Sequence, residues 1–214
     1  MRRLGTIFMI MGLLLIAGAL ILFFYNKNES ERAGAEAEEI RGELARSIEA
    51  VGEQDPYSGI PWKSGDWDGE EASDEEAEIP EMAVTQIDGY NYIGIVEVPS
   101  LGISLPVMAE WDYTRLKIAP CLYSGSYYTG DLVICGHNYA KHFSPIRGVE
   151  PGAEVLFTTA DGAVYHYIVS TRETVQPTEI EAMIDSAADW DLTLFTCNLG
   201  GQTRCAVRCL RVKD

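Results

Sequence analysis

From Leu4 to Tyr25 the chain runs 22 residues without a charged side chain, directly after Met1-Arg2-Arg3. A bilayer core about 30 Å thick is crossed by about 20 apolar residues of helix, so this run is long enough to span. It also exceeds the roughly 7 to 15 apolar residues of a secretory signal. The run ends in Phe23-Phe24-Tyr25-Asn26 rather than at a small-residue cleavage site, and Ala33-Gly34-Ala35 lies too far downstream to serve as one. An uncleaved single-pass anchor at 1–25 is the reading, with a cleaved signal peptide as its rival. Arg2 and Arg3 hold the N-terminus in the cytoplasm under the positive-inside bias, which places everything after Tyr25 outside the cell membrane.

Of 33 acidic and 16 basic residues in the chain, Asn26 to Glu81 holds 18 and 5. Such a segment repels nucleic acid and buries little, so 26–81 reads as an acidic extracytoplasmic linker. Within it Ile40, Leu44, Ile48 and Val51 recur at helical spacing, which makes Glu31 to Val51 a candidate amphipathic helix able to lie on the domain that follows. Gly52 to Ile79 breaks that pattern. Asp55-Pro56-Tyr57, with Trp62 beyond, sets an aromatic on a rigid turn, either an ordinary turn or a segment folded back over a groove.

Residues 82–214 have the composition and size of one globular core. Tyr92 to Val98 and Ile103 to Val107 alternate as strands around Pro99-Ser100-Leu101-Gly102, and Asp112 can cap a short helix through Lys117. Leu132 to Cys135 is a buried-strand run. Glu154 to Thr159 and Val164 to Thr171 flank the hairpin turn Asp161-Gly162. Glu179 to Ala188 reads as a short helical connection before the strands Thr193 to Cys197 and Thr203 to Val212. Many short strands and brief helices predict a compact all-β barrel or sandwich.

The chemistry gathers at strand ends. Cys197 closes one apolar run and His137 another, each just before residues that turn the chain, so both can emerge at one rim of a barrel. In an antiparallel hairpin Arg204 falls opposite Cys197, whereas Arg208 shares that face about 13 Å further along. A thiol, an imidazole and a guanidinium together supply a nucleophile, a proton handler and an oxyanion ligand. The rival from another class is a structural zinc site built from Cys135, His137, Cys197 and Cys205, although no close Cys-x-x-Cys pair supports it. Cys205 and Cys209, about 13 Å apart on one face, cannot form a disulfide and read as buried thiols. His142, in a loop expected to be mobile, and His166, at a strand surface, receive no role. Glu179, Glu181, Asp185 and Asp189 could hold calcium but read as solvated surface.

Thr193-Leu194-Phe195-Thr196-Cys197 resembles the Thr-Leu-x-Thr-Cys signature of the sortases. The resemblance extends to Gly136-His137 at the end of an upstream strand, to Arg204 on the last strand, to the N-terminal anchor, and to Ile93 through Val107 as the first two strands. It implies an eight-stranded sortase-type β-barrel and a membrane-bound cysteine transpeptidase of Gram-positive-type cell surfaces, working without a cofactor. Such an enzyme cuts a Leu-Pro-x-Thr-Gly-like sorting signal and passes the acyl group to an amine of the cell wall or of a pilin. By position Cys197 is then the nucleophile, His137 the acid/base, Arg204 the oxyanion and substrate ligand, and Thr196 a lining of the oxyanion site. Gly136-His137-Asn138 resembles the class B pattern, and Asp55-Pro56-Tyr57 the Asp-Pro-aromatic lid of pilus-building class C enzymes. B-like, C and D classes all stay open.

Overall fold

The computed structural model describes residues 2–52, 79–179, 190–198 and 200–212. The turn Asp55-Pro56-Tyr57 and Trp62, the helical connection expected over Glu179 to Ala188 except for its first residue, and the carboxylates of Glu181, Asp185 and Asp189 lie outside the described residues.

Helix α1 (Arg2–Gly52) carries the apolar run and the amphipathic stretch as one uninterrupted rod. The sequence suggested an anchor followed by a spacer. No Pro or Gly occurs between Leu20 and Gly34, however, and the intervening residues propagate a helix readily. The first half is long and apolar enough to cross a membrane, and its large side chains from Ile7 to Tyr25 stand exposed. The second half buries Ala33, Ala37, Ile40 and Leu44, a stripe at spacings of four, three and four residues, against the first three strands. Val51, at 44 % exposure, falls beyond the end of that stripe.

Among the described residues nine strands follow: β1 (Thr85–Ile87), β2 (Tyr90–Val98), β3 (Ile103–Met108), β4 (Cys121–Ser124), β5 (Leu132–Gly136), β6 (Glu154–Thr159), β7 (Val164–Val175), β8 (Leu192–Cys197) and β9 (Arg204–Arg211). Pairing runs β2-β3-β4-β5-β8-β9-β7-β6, and β6 returns to β2, so eight strands close into a barrel; β1 adds to the start of β2. Closure depends on Gly94, at φ 154°, because a Cβ there would run into the Thr158 carbonyl of β6. Neither β1 nor β4 was anticipated, since three or four residues beside turns carry too little alternation to register as strands.

Side chains alternate between two cores. Ile93, Val96, Leu105, Ile134, Phe157, Leu194 and Val207, drawn from all round the closed sheet, fill the barrel. On its outer face Tyr92, Ile95, Val133, Cys135, Phe195 and Ala206 join Ile40 and Leu44 of α1. The helix is therefore a lid over an apolar outer surface.

His142 corrects the expectation of a mobile loop without a role. It is fully buried, its Nε2 donates to the Ala33 carbonyl of α1 at 3.3 Å, and its ring meets Tyr139 edge-on at 5.5 Å. Burial pushes its pKa down to about 4, with the Ala33 bond working weakly the other way. An unfolded histidine takes up its proton near 6.5, so between that value and about 4 the unfolded chain binds more protons than the native one. Stability is thus lost as pH falls through this window. Thermal melts of wild type and His142→Asn at pH 7, 5.5 and 4 should show the variant less stable at pH 7 but with the shallower decline; parallel declines would contradict the burial account.

Candidate active site

Two ladders build the site. β5 and β8 run parallel with Gly136 opposite Thr196, so His137 and Cys197 are each one residue past the last registered pair, on neighbouring chains about 4.8 Å apart. β8 and β9 run antiparallel with Cys197 opposite Arg204. Since paired residues share a face and successive residues alternate, His137, Cys197 and Arg204 all belong to the outer face, and all three are half-buried. Thr196 has the opposite parity: its buried hydroxyl donates to the Gly136 carbonyl at 2.9 Å, fastening the two strand ends together.

The His137 ring stacks on Tyr139 with centroids 3.8 Å apart and planes inclined by 25°. Its Nδ1 is buried without a hydrogen-bond partner among the described residues. Burial pulls its pKa below 6.5; the Glu29 carboxylate opposes that shift, and the Lys117 ammonium adds to it. The Arg204 guanidinium folds onto its own turn, its Nη1 donating to the carbonyls of Gly201 at 3.0 Å and Thr203 at 3.3 Å. Arg208 sits four residues along the same face, 2 % exposed, its Nε donating to Glu173 at 2.6 Å and its Nη1 to the Thr193 hydroxyl at 3.0 Å.

Cys197 is a free thiol, and the other four cysteines are buried. Burial pushes those four thiols up, Cys135 and Cys209 to about 12 and Cys121 further, with Cys205 raised as well. Among the described residues no three His, Cys, Asp or Glu side chains are grouped to hold a metal ion. The zinc quartet considered from the sequence is split, because Cys135 belongs to the outer core and Cys205 to the inner one.

Three contributors were not anticipated. Arg147 Nη1 lies 3.5 Å from the Cys197 carbonyl while its Nη2 donates to Ser144 at 2.6 Å, which ties the loop after β5 to the end of β8. On the Cys197 face Phe195 meets Tyr123 edge-to-face at 5.1 Å and Tyr123 meets Trp111 at 5.3 Å, forming an aromatic row. A cleft of about 650 Å³ separates His137, Asn138 and Ser144 from Phe23, Lys27 and Glu29 of α1. No local sequence signal marks these contacts, which join segments distant in the chain; only the aromatic content around Trp111 hinted at the row.

A small closed barrel with a cysteine and a histidine at the ends of adjacent parallel strands, and an arginine opposite the cysteine, defines a thiol-bearing barrel class. The sortase domain family model matches residues 96–212, more than half the chain, and the chain belongs to the sortase family. Sortase A of Bacillus anthracis is 25 % identical over 128 residues, covering 58 % of this chain and 60 % of that relative. Among solved structures, sortase C1 of Streptococcus agalactiae aligns with a TM-score of 0.52 at 25 % identity, covering 60 % of this chain and 72 % of that one. Sortase C of Streptococcus pneumoniae aligns with a TM-score of 0.50 at 25 % identity, covering 57 % and 70 %.

Gly136 explains why a glycine precedes His137. A Cβ there would lie 2.5 Å from the Phe143 ring, which packs across the strand end. Gly136→Ala is expected to cost about 1–3 kcal/mol through overpacking and to lower Tm accordingly. Gly148→Ala meets nothing within 4 Å and serves as the control. Equal melting temperatures for the two variants would contradict this packing account.

Proposed function

We propose that this sortase is a membrane-anchored cysteine transpeptidase in which Cys197 is the nucleophile, His137 the general acid/base and Arg204 the oxyanion and substrate ligand. The observation carrying the reading is the double register that sets Cys197 beside His137 on one strand and opposite Arg204 on the other. The Cys197 thiolate attacks the Thr carbonyl of a Leu-Pro-x-Thr-Gly-like sorting signal, and a tetrahedral oxyanion forms. The C–N bond then breaks, His137 protonates the departing amine, and a thioester remains. In the second half an acceptor amine attacks the thioester, His137 takes its proton, the C–S bond breaks, and a new amide leaves.

Arg204 reaches the oxyanion by releasing the turn carbonyls it holds at rest, an exchange of one set of charge-assisted hydrogen bonds for a stronger one. Thr196 is assigned to fastening β8 to β5 rather than to touching substrate. Tyr123 and Trp111, packed on the buried Phe195 ring, supply apolar surface on the Cys197 face for the hydrophobic part of the signal. In domain terms, 1–25 is the anchor, 26–81 joins it to the catalytic domain, and 82–214 holds the chemistry outside the membrane. The acceptor amine belongs to the cell wall or to a pilin; the latter is consistent with the likeness to sortase C of Streptococcus pneumoniae, a structure described as bearing on pilin substrate specificity.

Cys197→Ala should abolish cleavage of a sorting-signal peptide while leaving the melting curve nearly unchanged, since the side chain contributes little packing. Mass analysis of products reads this directly, and undiminished cleavage by the variant would overturn the reading. The two arginines separate next. Arg204→Lys should lower kcat about 100-fold, as expected for a lost oxyanion donor, with Tm held. Arg208→Lys breaks the buried bonds to Glu173 and Thr193 and should lower Tm, with kcat at a permissive temperature changing less than about threefold. The opposite pattern would move the oxyanion role to Arg208.

A further inference from the structure

His137 differs from most catalytic imidazoles in what holds it. A base is ordinarily oriented by a hydrogen bond to its second ring nitrogen, yet Nδ1 of His137 is buried with no partner among the described residues. The ring is fixed instead by its face, stacked on Tyr139 at 3.8 Å. Tyr139 is fixed in turn from another element: its hydroxyl donates to Glu29 Oε1 of α1 at 2.8 Å. We propose that Glu29 and Tyr139 form a positioning pair for His137, so that the helix leading out of the membrane completes the active site. The proposal rests on the acid/base reading of His137.

Two physical effects make the pair more than a strut. The face of a phenol ring carries negative electrostatic potential and favours a cation above it, and the Glu29 carboxylate lies beyond that ring. Both favour the imidazolium over the imidazole. Among the described residues the other charged or titratable groups around the pair and His137 are Lys117 of the turn before β4, which disfavours the cation, Arg32 and Glu36 of α1 beside Glu29 and Lys117, Lys27 and Glu31 across the cleft, His142 on its own loop, Arg147, and Cys197 and Arg204 on β8 and β9. Burial pushes the Tyr139 hydroxyl up to about 12, followed by the Glu29 hydrogen bond, so it remains a donor across the working range.

The reactive molecules carry a proton on His137 and none on Cys197, and when that is the minority form its share at the optimum equals the ratio of the two acidity constants. Lowering the His137 pKa therefore moves the acidic limb of the kcat/KM profile to lower pH and reduces the maximum by the same factor. A contact that merely braces the fold would lower the rate without moving the limb.

The test uses the full chain in lipid nanodiscs, with kcat/KM on one sorting-signal peptide from pH 5 to 10. Glu29→Gln keeps an acceptor for Tyr139 and removes only the charge; it should move the acidic limb down by about half a pH unit and lower the maximum about threefold. Tyr139→Ala should lower kcat about tenfold, and Tyr139→Phe, which keeps the stacking face but loses the bond to Glu29, should fall between Tyr139→Ala and wild type. Glu39→Gln, exposed and ten residues further along α1, should change neither. Nuclear magnetic resonance titration of the His137 ring in a Cys197→Ala background, with and without Glu29→Gln, reads the same shift without catalysis, so failure of the pair and failure of the nucleophile assignment stay distinct. An unchanged His137 midpoint and acidic limb in Glu29→Gln overturns the proposal, even if Tyr139→Ala proves too unstable to assay. So does a Tyr139→Phe variant with the kcat and acidic limb of wild type, because the bond to Glu29 would then position nothing.

Discussion

The parallel pairing of β5 with β8 is the contact on which the site depends. Parallel neighbours cannot be joined by a tight turn, so the chain between Gly136 and Leu192 must travel round the barrel through β6 and β7 before it returns. That detour separates His137 from Cys197 by sixty residues in sequence while the ladder puts their strand ends side by side. The antiparallel pairing of β9 on the other edge of β8 is local by comparison and adds Arg204 through a six-residue turn stabilised by Asn198 and Thr203. A one-residue slip in either ladder would send one of the three side chains to the packed interior, and the two cores fix both registers. Thr196, Arg147 and Phe143 then secure the ends at which the ladders stop.

A site on the outer face of a barrel needs a cover, because the interior is filled with side chains. Helix α1 supplies part of that cover. Its buried stripe starts with Ser30 and Ala33, a turn or two after the last residue of the uncharged run, so Glu29 is only about 6 Å along the axis from Tyr25. With no break between the two halves, the height of His137 above the end of the apolar segment is set by helix geometry rather than by a tether. A flexible linker would let the domain explore many orientations; a continuous helix docked on β1 to β3 selects one.

How much of this was legible in the sequence follows from the range over which each signal acts. Glu154 to Thr159, the run from Leu132 to Cys135 and the strand ending at Cys197 were readable because alternation or an apolar run is local to each, and Cys197 opposite Arg204 followed from a short hairpin. Asp112 was readable as a cap for the same reason, and it accepts from the backbone amides of Thr114 and Arg115. The continuity of α1 is hidden because an acidic run reads as spacer, although Glu propagates a helix as well as most residues do. His142 was missed because its loop looks polar in sequence, whereas its burial depends on Ala33, 109 residues away. Arg147 and Tyr139 share that character: each acts through a partner on a distant segment.

Charge distribution ties these parts together. The chain carries a net charge of −17, which would lower the pKa of no acid and raise that of every base if it acted uniformly. It does not act uniformly, because exposed charges more than about 10 Å away are screened at moderate ionic strength. What reaches His137 is what lies close to it: burial and Lys117 disfavour its proton, and Glu29, bonded to the Tyr139 hydroxyl, favours it. The abundant carboxylates along α1 are therefore mostly a solvated face, with Glu38 paired to Arg41 one turn away, whereas Glu29 is tied by the Tyr139 hydroxyl to the ring on which His137 stacks. Placement of that kind requires the helix to be docked in one rotation, which is what Ala33, Ala37, Ile40 and Leu44 secure by burying one stripe and leaving the adjoining face to Glu29.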